Sequence, residues 1–224
     1  MPNAFAAVLV AAGSSRRMGF DKILAMLGNV SVLRRSFDAL QACPSIESIV
    51  IVGSPAVFEH CADWRLNPEC TKLLALIPGG KERQDSVRAG LGAIPPHISH
   101  VAIHDAARPL VCPQAIEETI AAARNHGAAV LAHPIPDTVK RLHENGQIAE
   151  NVDRTNLWAM ETPQIARRDW LVQAMDQVAA AGVPVTDEVS ALQFAQFPVH
   201  AVCNNTPNFK ITWPGDIALA ERLL

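Results

Sequence analysis

Apolar residues follow two rhythms along this chain, and the rhythms alternate. Short runs with almost no polar interruption, too brief for a typical helix, predict strands buried on both faces of a sheet over 4–11, 46–52, 73–77, 101–104 and 128–132. Between them apolar positions return every three to four residues. Val32, Leu33, Phe37 and Leu40 predict a helix over 31–42 with Pro44 as its stop, and further helices are predicted over 55–62, 82–94 and 113–124, the last opened by Pro113 in its first turn. Strands alternating with helices at this spacing predict an α/β fold, a three-layer α/β/α Rossmann-like arrangement around a mostly parallel sheet. In such a sheet ligands bind outside the carboxyl ends of the strands.

The rhythm breaks at Pro134 and Pro136. Between Asp137 and Asp153 the chain turns polar, with two short alternating runs, 138–142 and 148–152, separated by Asn145-Gly146. Asn-Gly in that setting signals a tight hairpin. A ribbon inserted into an α/β domain is expected to project from it, and two strands alone are marginal in water, so a partner subunit is the expected packing surface. Helical spacing resumes over 168–181 and 187–196, short strands are predicted over 198–203 and 208–212, and a helix over 215–224 closes the chain. The organisation is one domain over 1–224, with 136–154 as an inserted dimerisation arm.

Composition narrows the class. Apolar residues make up 49% of the 224 and charged residues 18%, with a net charge of −3, so the chain is globular and any basic site is local rather than a nucleic-acid surface. The five cysteines are irregularly spaced with no C-x-x-C pair, which fits a reduced, cytoplasmic protein. Arg16-Arg17 follow the first apolar run, whereas export signals place basic residues before it. No apolar run approaches the length of a membrane span. With the chain ending at Leu224, no second catalytic domain is expected behind this one.

Candidate chemistry gathers where predicted strands end. Residues 8–22 read VLVAAGSSRRMGFDK: an apolar run closes in Ala11, Ala12 and Gly13, Ser14 and Ser15 follow, and then Arg16, Arg17 and Lys22 arrive. Small residues let a ligand approach the backbone and the cations offset negative charge, so a polyphosphate is the expected ligand. The loop has neither the phosphate-loop spacing nor the dinucleotide fingerprint. Gly79-Gly80 enters the helix that carries Ser86. Asp105 closes another strand, where a hard oxygen suits Mg²⁺ and where a turn-forming Asp paired with Arg108 is the plainer alternative. Thr186-Asp187-Glu188 is by itself a helix start with Thr as its cap. Lys210 interrupts an otherwise apolar strand. No histidine stands in a metal-ligand spacing or beside a serine or cysteine motif, so acyl transfer finds no support.

Taken in order, AAGSSRRMG, GGKERQDSVRAGL, HDAARP, PDTVKR, VDRTNLW, ETPQ, TDEVSAL and NFKIT followed by PGD resemble the 2-C-methyl-D-erythritol 4-phosphate cytidylyltransferases of the non-mevalonate isoprenoid pathway nearly end to end. HDAARP and TDEVSAL carry most of the discrimination, since the first loop also looks like that of molybdenum cofactor guanylyltransferases and sugar nucleotidyltransferases. Two departures stand out: the segment between Arg17 and Lys22 is shorter and proline-free, and Lys81 falls where relatives often have an acid.

The resemblance implies a nucleotidyltransferase fold and the reaction of CTP with 2-C-methyl-D-erythritol 4-phosphate to give the CDP-alcohol and pyrophosphate. It implies that Arg17 and Lys22 stabilise the transition state, that Asp105 holds Mg²⁺ on the triphosphate, and that Arg154 and Lys210 position the attacking phosphate. Ala12, Gly13, Ser14, Gly80, Ser86, Asp105 and Ala106 would form the nucleotide site, and Thr138, Arg154, Thr162 and Thr186 would contact the erythritol phosphate. It further implies a homodimer in which the arm crosses to the neighbour, with no nucleic acid or membrane as partner. A phosphate whose second pKa is about 6 is already mostly ionised at neutral pH, so this chemistry needs no general base. A ribitol 5-phosphate cytidylyltransferase shares the skeleton, and a non-catalytic nucleotide sensor would keep the loop without turnover.

Overall fold

Phe5–Ala11, called β1, is apolar throughout and sits inside a seven-stranded sheet with neighbours on both edges. A computed structural model of the chain describes residues 4–13 and 19–224. After β1 come a two-stranded turn, β2 (Met26–Leu27) and β3 (Val30–Ser31), then α1 (Val32–Gln41), β4 (Ile46–Gly53), α2 (Pro55–His60), β5 (Leu73–Pro78) and α3 (Arg83–Gly92). The second half runs β6 (His100–Asp105), α4 (Pro113–His126), β7 (Ala128–Pro134), β8 (Val139–Leu142), β9 (Ile148–Val152), β10 (Trp158–Arg167), α5 (Arg168–Ala181), α6 (Glu188–Phe194), β11 (His200–Cys203) and α7 (Pro214–Glu221). In the main sheet the order is β11-β7-β10-β6-β1-β4-β5.

The three layers follow from the alternation of side chains along each buried strand. Ala7, Leu9 and Ala11 of β1 join Leu33, Phe37 and Leu40 of α1 and Ile116 and Ile120 of α4 in one core. Ala6 and Val8 point the other way, where Val87 and Leu91 of α3 and Leu171, Met175 and Val178 of α5 form the second core. From β1 the chain moves outward to β4 and β5, then returns to the other side of β1 with β6, parallel to it. That reversal opens a crevice beyond the carboxyl ends of β1 and β6, where open α/β sheets bind ligands.

Three expectations are corrected. The sheet gains a strand that periodicity missed, β10, which lies antiparallel between β6 and β7. Its sequence WAMETPQIAR carries a Pro and several polar groups, features that argue against a central strand. The register with β7 shifts between Met160 and Gln164, so the segment around Pro163 steps out of the ladder. Residues 208–212 form no strand; Ile211 N–H donates to the Ala107 carbonyl at 2.8 Å, but the segment is otherwise held by side chains. Asp187 rather than Thr186 caps α6, its carboxylate accepting from Ser190 N–H at 2.9 Å.

The hairpin is as read. Val139 pairs with Val152 in an antiparallel ribbon of β8 and β9, and Gly146 turns at φ +84°, a conformation glycine adopts without strain. Leu142 and Ile148, partners in that ribbon, are both more than half exposed, at 55% and 63%. No helix among the described residues is long and apolar enough to cross a membrane.

Candidate active site

Backbone reaches backbone at the carboxyl end of the sheet. A Cβ added to Gly79 would lie 2.2 Å from the Ala12 Cβ, so only glycine lets the loop after β5 press against the loop after β1. Gly80 N–H then donates to the Ser86 hydroxyl at 3.0 Å, tying that loop to the first turn of α3. Glu82 N–H donates to the Asp85 carboxylate at 3.0 Å and fixes where the helix starts. Gly13 faces open space. These contacts make a shallow cradle of small residues, with Ala12 and Gly13 on one side and Gly80 on the other.

Beside the cradle, Asp105 ends β6 almost fully buried and is gripped from two sides. Arg83, the first residue of α3, donates from Nε and Nη2 to Asp105 Oδ1 at 3.2 and 3.1 Å. Lys210 Nζ donates to Oδ2 at 2.7 Å. Arg83 turns the other edge of its guanidinium to Glu188 of α6, with Nη1 and Nη2 at 2.7 and 3.0 Å from the carboxylate oxygens. Segments 79–86, 100–108 and 208–212 thus meet at the Asp105 carboxylate, and Arg83 links them to 186–192 through Glu188. Burial alone would raise the Asp105 pKa, but Arg83 and then Lys210 hold it well below the usual carboxylate range. The Arg83 guanidinium is held charged between its two carboxylates.

A polar floor fixes that carboxylate from behind. His104 is fully buried, and its Nε2 lies 3.2 Å from the Arg108 carbonyl, which can only accept, so Nε2 carries the proton. Nδ1 therefore accepts from the Thr162 hydroxyl at 2.9 Å, and that hydroxyl accepts from Asp105 N–H at 3.1 Å. One directional chain runs from the Asp105 amide through Thr162 and His104 to Arg108. Burial, with the nearby Arg108 charge, brings the His104 pKa down to about 4 despite the opposing pull of Asp105.

The rest of ETPQ is used the same way. Glu161 accepts from Asn204 and Asn208 at 2.8 and 2.7 Å while its other oxygen meets His133 Nδ1 at 2.7 Å. Asn208 in turn donates to the Thr162 carbonyl at 3.0 Å, which holds the segment bearing Lys210 over β10. Gln164 donates to Asp187 at 3.0 Å and accepts from Val189 N–H at 2.9 Å, docking the start of α6.

Of the residues singled out in the sequence, Ala12, Gly13, Gly80, Ser86, Asp105 and Ala106 are brought to this edge. Lys22 joins them, its Nζ donating to the Ile211 carbonyl at 2.6 Å, one residue from Lys210. Thr162 lies beneath the site with its hydroxyl spent on His104 and Asp105. Thr186 is exposed at the foot of α6, and Thr138 is exposed at the base of the arm. Arg154 is exposed at that same base and donates to the Pro136 carbonyl. Arg17 and Ser14 lie outside the described residues. The alternative pairing of Asp105 with Arg108 is replaced by Arg83 and Lys210 as its hydrogen-bonded partners. Arg83, His104, Glu161 and Gln164 were given no role in the site from the sequence, and Glu188 was read only as part of a helix start. Glu188 and Arg83 each occupy the first turn of a helix, and an acid and a base at two helix starts were the available signal.

Among the described residues no cluster of three or more His, Cys, Asp or Glu could hold a metal ion by itself. Asp105 nevertheless fits a hard cation brought in on phosphates: Mg²⁺ is commonly held by one or two carboxylates plus substrate oxygens, and Asp105 Oδ2, which accepts from Lys210, keeps a second lone pair, whereas Arg83 uses both of those on Oδ1.

Lysines and glycine backbone gathered around one ionised carboxylate suit reaction between phosphates, and with the crevice of a doubly wound sheet they place the chain among the α/β nucleotidyltransferases. Residues 5–224 match the family described as IspD: 2-C-methyl-D-erythritol 4-phosphate cytidylyltransferase. The chain belongs to that family. Over 221 residues it is 37% identical to the 2-C-methyl-D-erythritol 4-phosphate cytidylyltransferase of Desulforamulus reducens, covering 97% of this chain and 94% of the relative. It is 36% identical over 219 residues to the protein of that name from Dehalococcoides mccartyi, covering 97% and 95%. Among solved structures, the 2-C-methyl-D-erythritol 4-phosphate cytidylyltransferase of Thermus thermophilus superposes with a TM-score of 0.80 at 26% identity, covering 96% of each chain. The 4-diphosphocytidyl-2C-methyl-D-erythritol synthase of Anaerococcus prevotii superposes at 0.85 with 24% identity, over 98% of this chain and 95% of that one, and speaks for the fold.

The His104 chain sets a pH dependence. A histidine near 4 when folded and near 6.5 when unfolded binds fewer protons in the folded state between those values, so its contribution is full above 6.5 and is lost as pH falls toward 4. Urea unfolding of wild type and His104→Asn is expected to show wild type losing on the order of 3 kcal/mol more than the variant between neutral pH and pH about 4. Parallel losses would contradict a buried neutral His104.

Proposed function

We propose that this protein transfers the cytidylyl group of CTP to 2-C-methyl-D-erythritol 4-phosphate, giving the CDP-alcohol and pyrophosphate in non-mevalonate isoprenoid precursor synthesis in the cytoplasm. The observation that carries the reading is the meeting of Arg83 and Lys210 at Asp105, with Glu188 holding the far edge of Arg83, beside a cradle built from Ala12, Gly13 and Gly80. A phosphate oxygen of the acceptor attacks the α-phosphorus of CTP, the bond to the β-phosphate oxygen breaks, and pyrophosphate leaves with the electron pair. Charge crowds as two polyanions meet, and fixed cations that neutralise it lower the barrier.

In this reading the cradle and Ser86 hold the nucleotide, with Ser14 and Ala106 beside them. Lys22 and Arg17 stabilise the charge that gathers on the phosphates. Lys210 and Arg154 align the acceptor phosphate, and Thr138 and Thr186 contact the rest of that substrate. Thr162 works through Asp105, whose amide its hydroxyl receives. Mg²⁺, brought by the triphosphate onto Asp105, would supply further charge neutralisation. The arm, with Leu142 and Ile148 exposed on it, is assigned to a second copy of the chain, so that Thr138 and Arg154 serve the neighbour's site.

Pyrophosphate release from CTP is expected with 2-C-methyl-D-erythritol 4-phosphate and far less with ribitol 5-phosphate. Lys22→Ala is expected to lower turnover by about 10² to 10³, or roughly 2.7 to 4 kcal/mol, the cost of losing one positioned charge-stabilising donor. Preference for ribitol 5-phosphate, absence of turnover in the wild type, or undiminished turnover in the variant would overturn the reading. Mixing inactive Lys22→Ala and Arg154→Ala proteins is expected to restore activity by forming one intact shared site per mixed dimer. Absence of restoration in isolated mixed dimers would place Arg154 in its own subunit's site.

A further inference from the structure

Glu161 is a buried carboxylate that no step of the reaction uses. Its side chain is only 4% exposed, at the point where β10 leaves its ladder with β7. Three donors meet it. Oε2 accepts from Asn204 and Asn208 at 2.8 and 2.7 Å, while Oε1 has one partner among the described residues, His133 Nδ1 at 2.7 Å. Imidazole is a stronger base than a carboxylate, so the proton between them belongs to Nδ1 and the carboxylate accepts from all three.

Neither amide is free to turn over. Asn204 Oδ1 accepts from the Thr206 N–H and hydroxyl at 3.0 and 2.8 Å. Asn208 Oδ1 is buried without a hydrogen-bond partner, an unfavourable state that persists because turning the amide would set oxygen against the Glu161 carboxylate. The Asn208 carbonyl accepts from Arg108 Nη1 at 2.7 Å. Lys210 follows two residues on, in a segment without sheet pairing, and its Nζ reaches Asp105 at 2.7 Å. Asn208 fixes that segment on one side of Lys210, and Ile211 N–H on the Ala107 carbonyl fixes it on the other. Whatever orients Glu161 therefore orients Asn208 and, with it, Lys210.

Of the three donors, only His133 comes from outside the stretch 204–212. It stands near the end of β7, opposite Ala159 of β10, with a side chain 43% exposed, so packing alone does not account for it. We propose that His133 is a positioning residue for the acceptor half of the reaction: by donating Nδ1–H to Glu161 it holds the carboxylate in the orientation that seats Asn208 and sets Lys210 at Asp105. The proposal rests on the assignment of Lys210 to the acceptor phosphate. Without that donor Oε1 is a buried anionic oxygen with no partner, and the carboxylate turns away to find one, loosening its hold on Asn208. The cradle of Ala12, Gly13 and Gly80 shares none of these contacts.

The test compares wild type, His133→Leu and His133→Asn in turnover of CTP with 2-C-methyl-D-erythritol 4-phosphate and in amide NMR spectra. An asparagine amide nitrogen reaches the position of Nδ1 and keeps the donor, whereas leucine keeps more of the bulk and loses it. His133→Leu is expected to raise KM for the acceptor about tenfold, the scale of one hydrogen bond to a charged group, with KM for CTP unchanged. His133→Asn is expected to restore the wild-type value. In the spectra the Asn208 and Lys210 amides are expected to shift in His133→Leu and to keep their wild-type positions in His133→Asn. Those shifts need no turnover, so they test the positioning separately from the reaction, which a wild type inactive toward this acceptor would overturn. Imidazole nitrogen NMR of the wild type is expected to show the proton of neutral His133 on Nδ1, a readout that stands should His133→Leu fail to fold. A proton on Nε2 instead, an unchanged acceptor KM or unshifted Asn208 and Lys210 amides in folded His133→Leu, an equal rise in KM for CTP, or equal impairment of the two variants would overturn the proposal.

Discussion

The Asp105 carboxylate is the point on which this structure depends. It stands at the end of a central strand, almost out of solvent, and such a charge persists there only because Arg83 and Lys210 hold it. Its backbone is fixed as firmly, by the chain that runs from its amide through Thr162 to His104. Side chain and main chain are therefore anchored by different segments, and the carboxylate can neither swing nor take up a proton at neutral pH.

A buried ion cluster is seldom a source of stability, since desolvation offsets most of the Coulomb gain. What it fixes here is geometry. Arg83 joins Asp105 to Glu188 and so joins the loop after β5 to the start of α6. Lys210 comes from a segment without sheet pairing, and the ion pair together with Asn208 on Glu161 gives that segment its place. Lys210, one of the cations that the proposed reaction uses, is thus held by the same contacts that close the fold around the crevice.

Much of this was legible in the sequence because periodicity is local. The strand of residues 4–11, the helix of Val32, Leu33, Phe37 and Leu40, and the Asn145-Gly146 hairpin all declare themselves within a few positions. The small residues Ala12, Gly13 and Gly80 also stand out locally, and the fold sets their loops together at the carboxyl edge, Gly79 against Ala12. Strand β10 did not declare itself, because its Glu161, Thr162 and Gln164 are polar for the sake of Asn208, His104 and Val189, which lie far along the chain. The pairing of Arg83 with Glu188 was hidden for the same reason: in the sequence each is only a charge in a helix's first turn until the fold sets them together. Residues 208–212 misled in the opposite sense, since apolar residues around a lysine resemble a strand when the real constraint is side-chain anchoring.

The central claim is that Asp105 and Lys210 act as one unit. The most direct measurement is a double-mutant cycle on turnover of CTP with 2-C-methyl-D-erythritol 4-phosphate, using Asp105→Asn, Lys210→Met and the two combined. The account predicts strong non-additivity, with the double variant about as impaired as the worse single one, as for groups that function together. Losses that simply multiply would mean the two residues act independently and would contradict it.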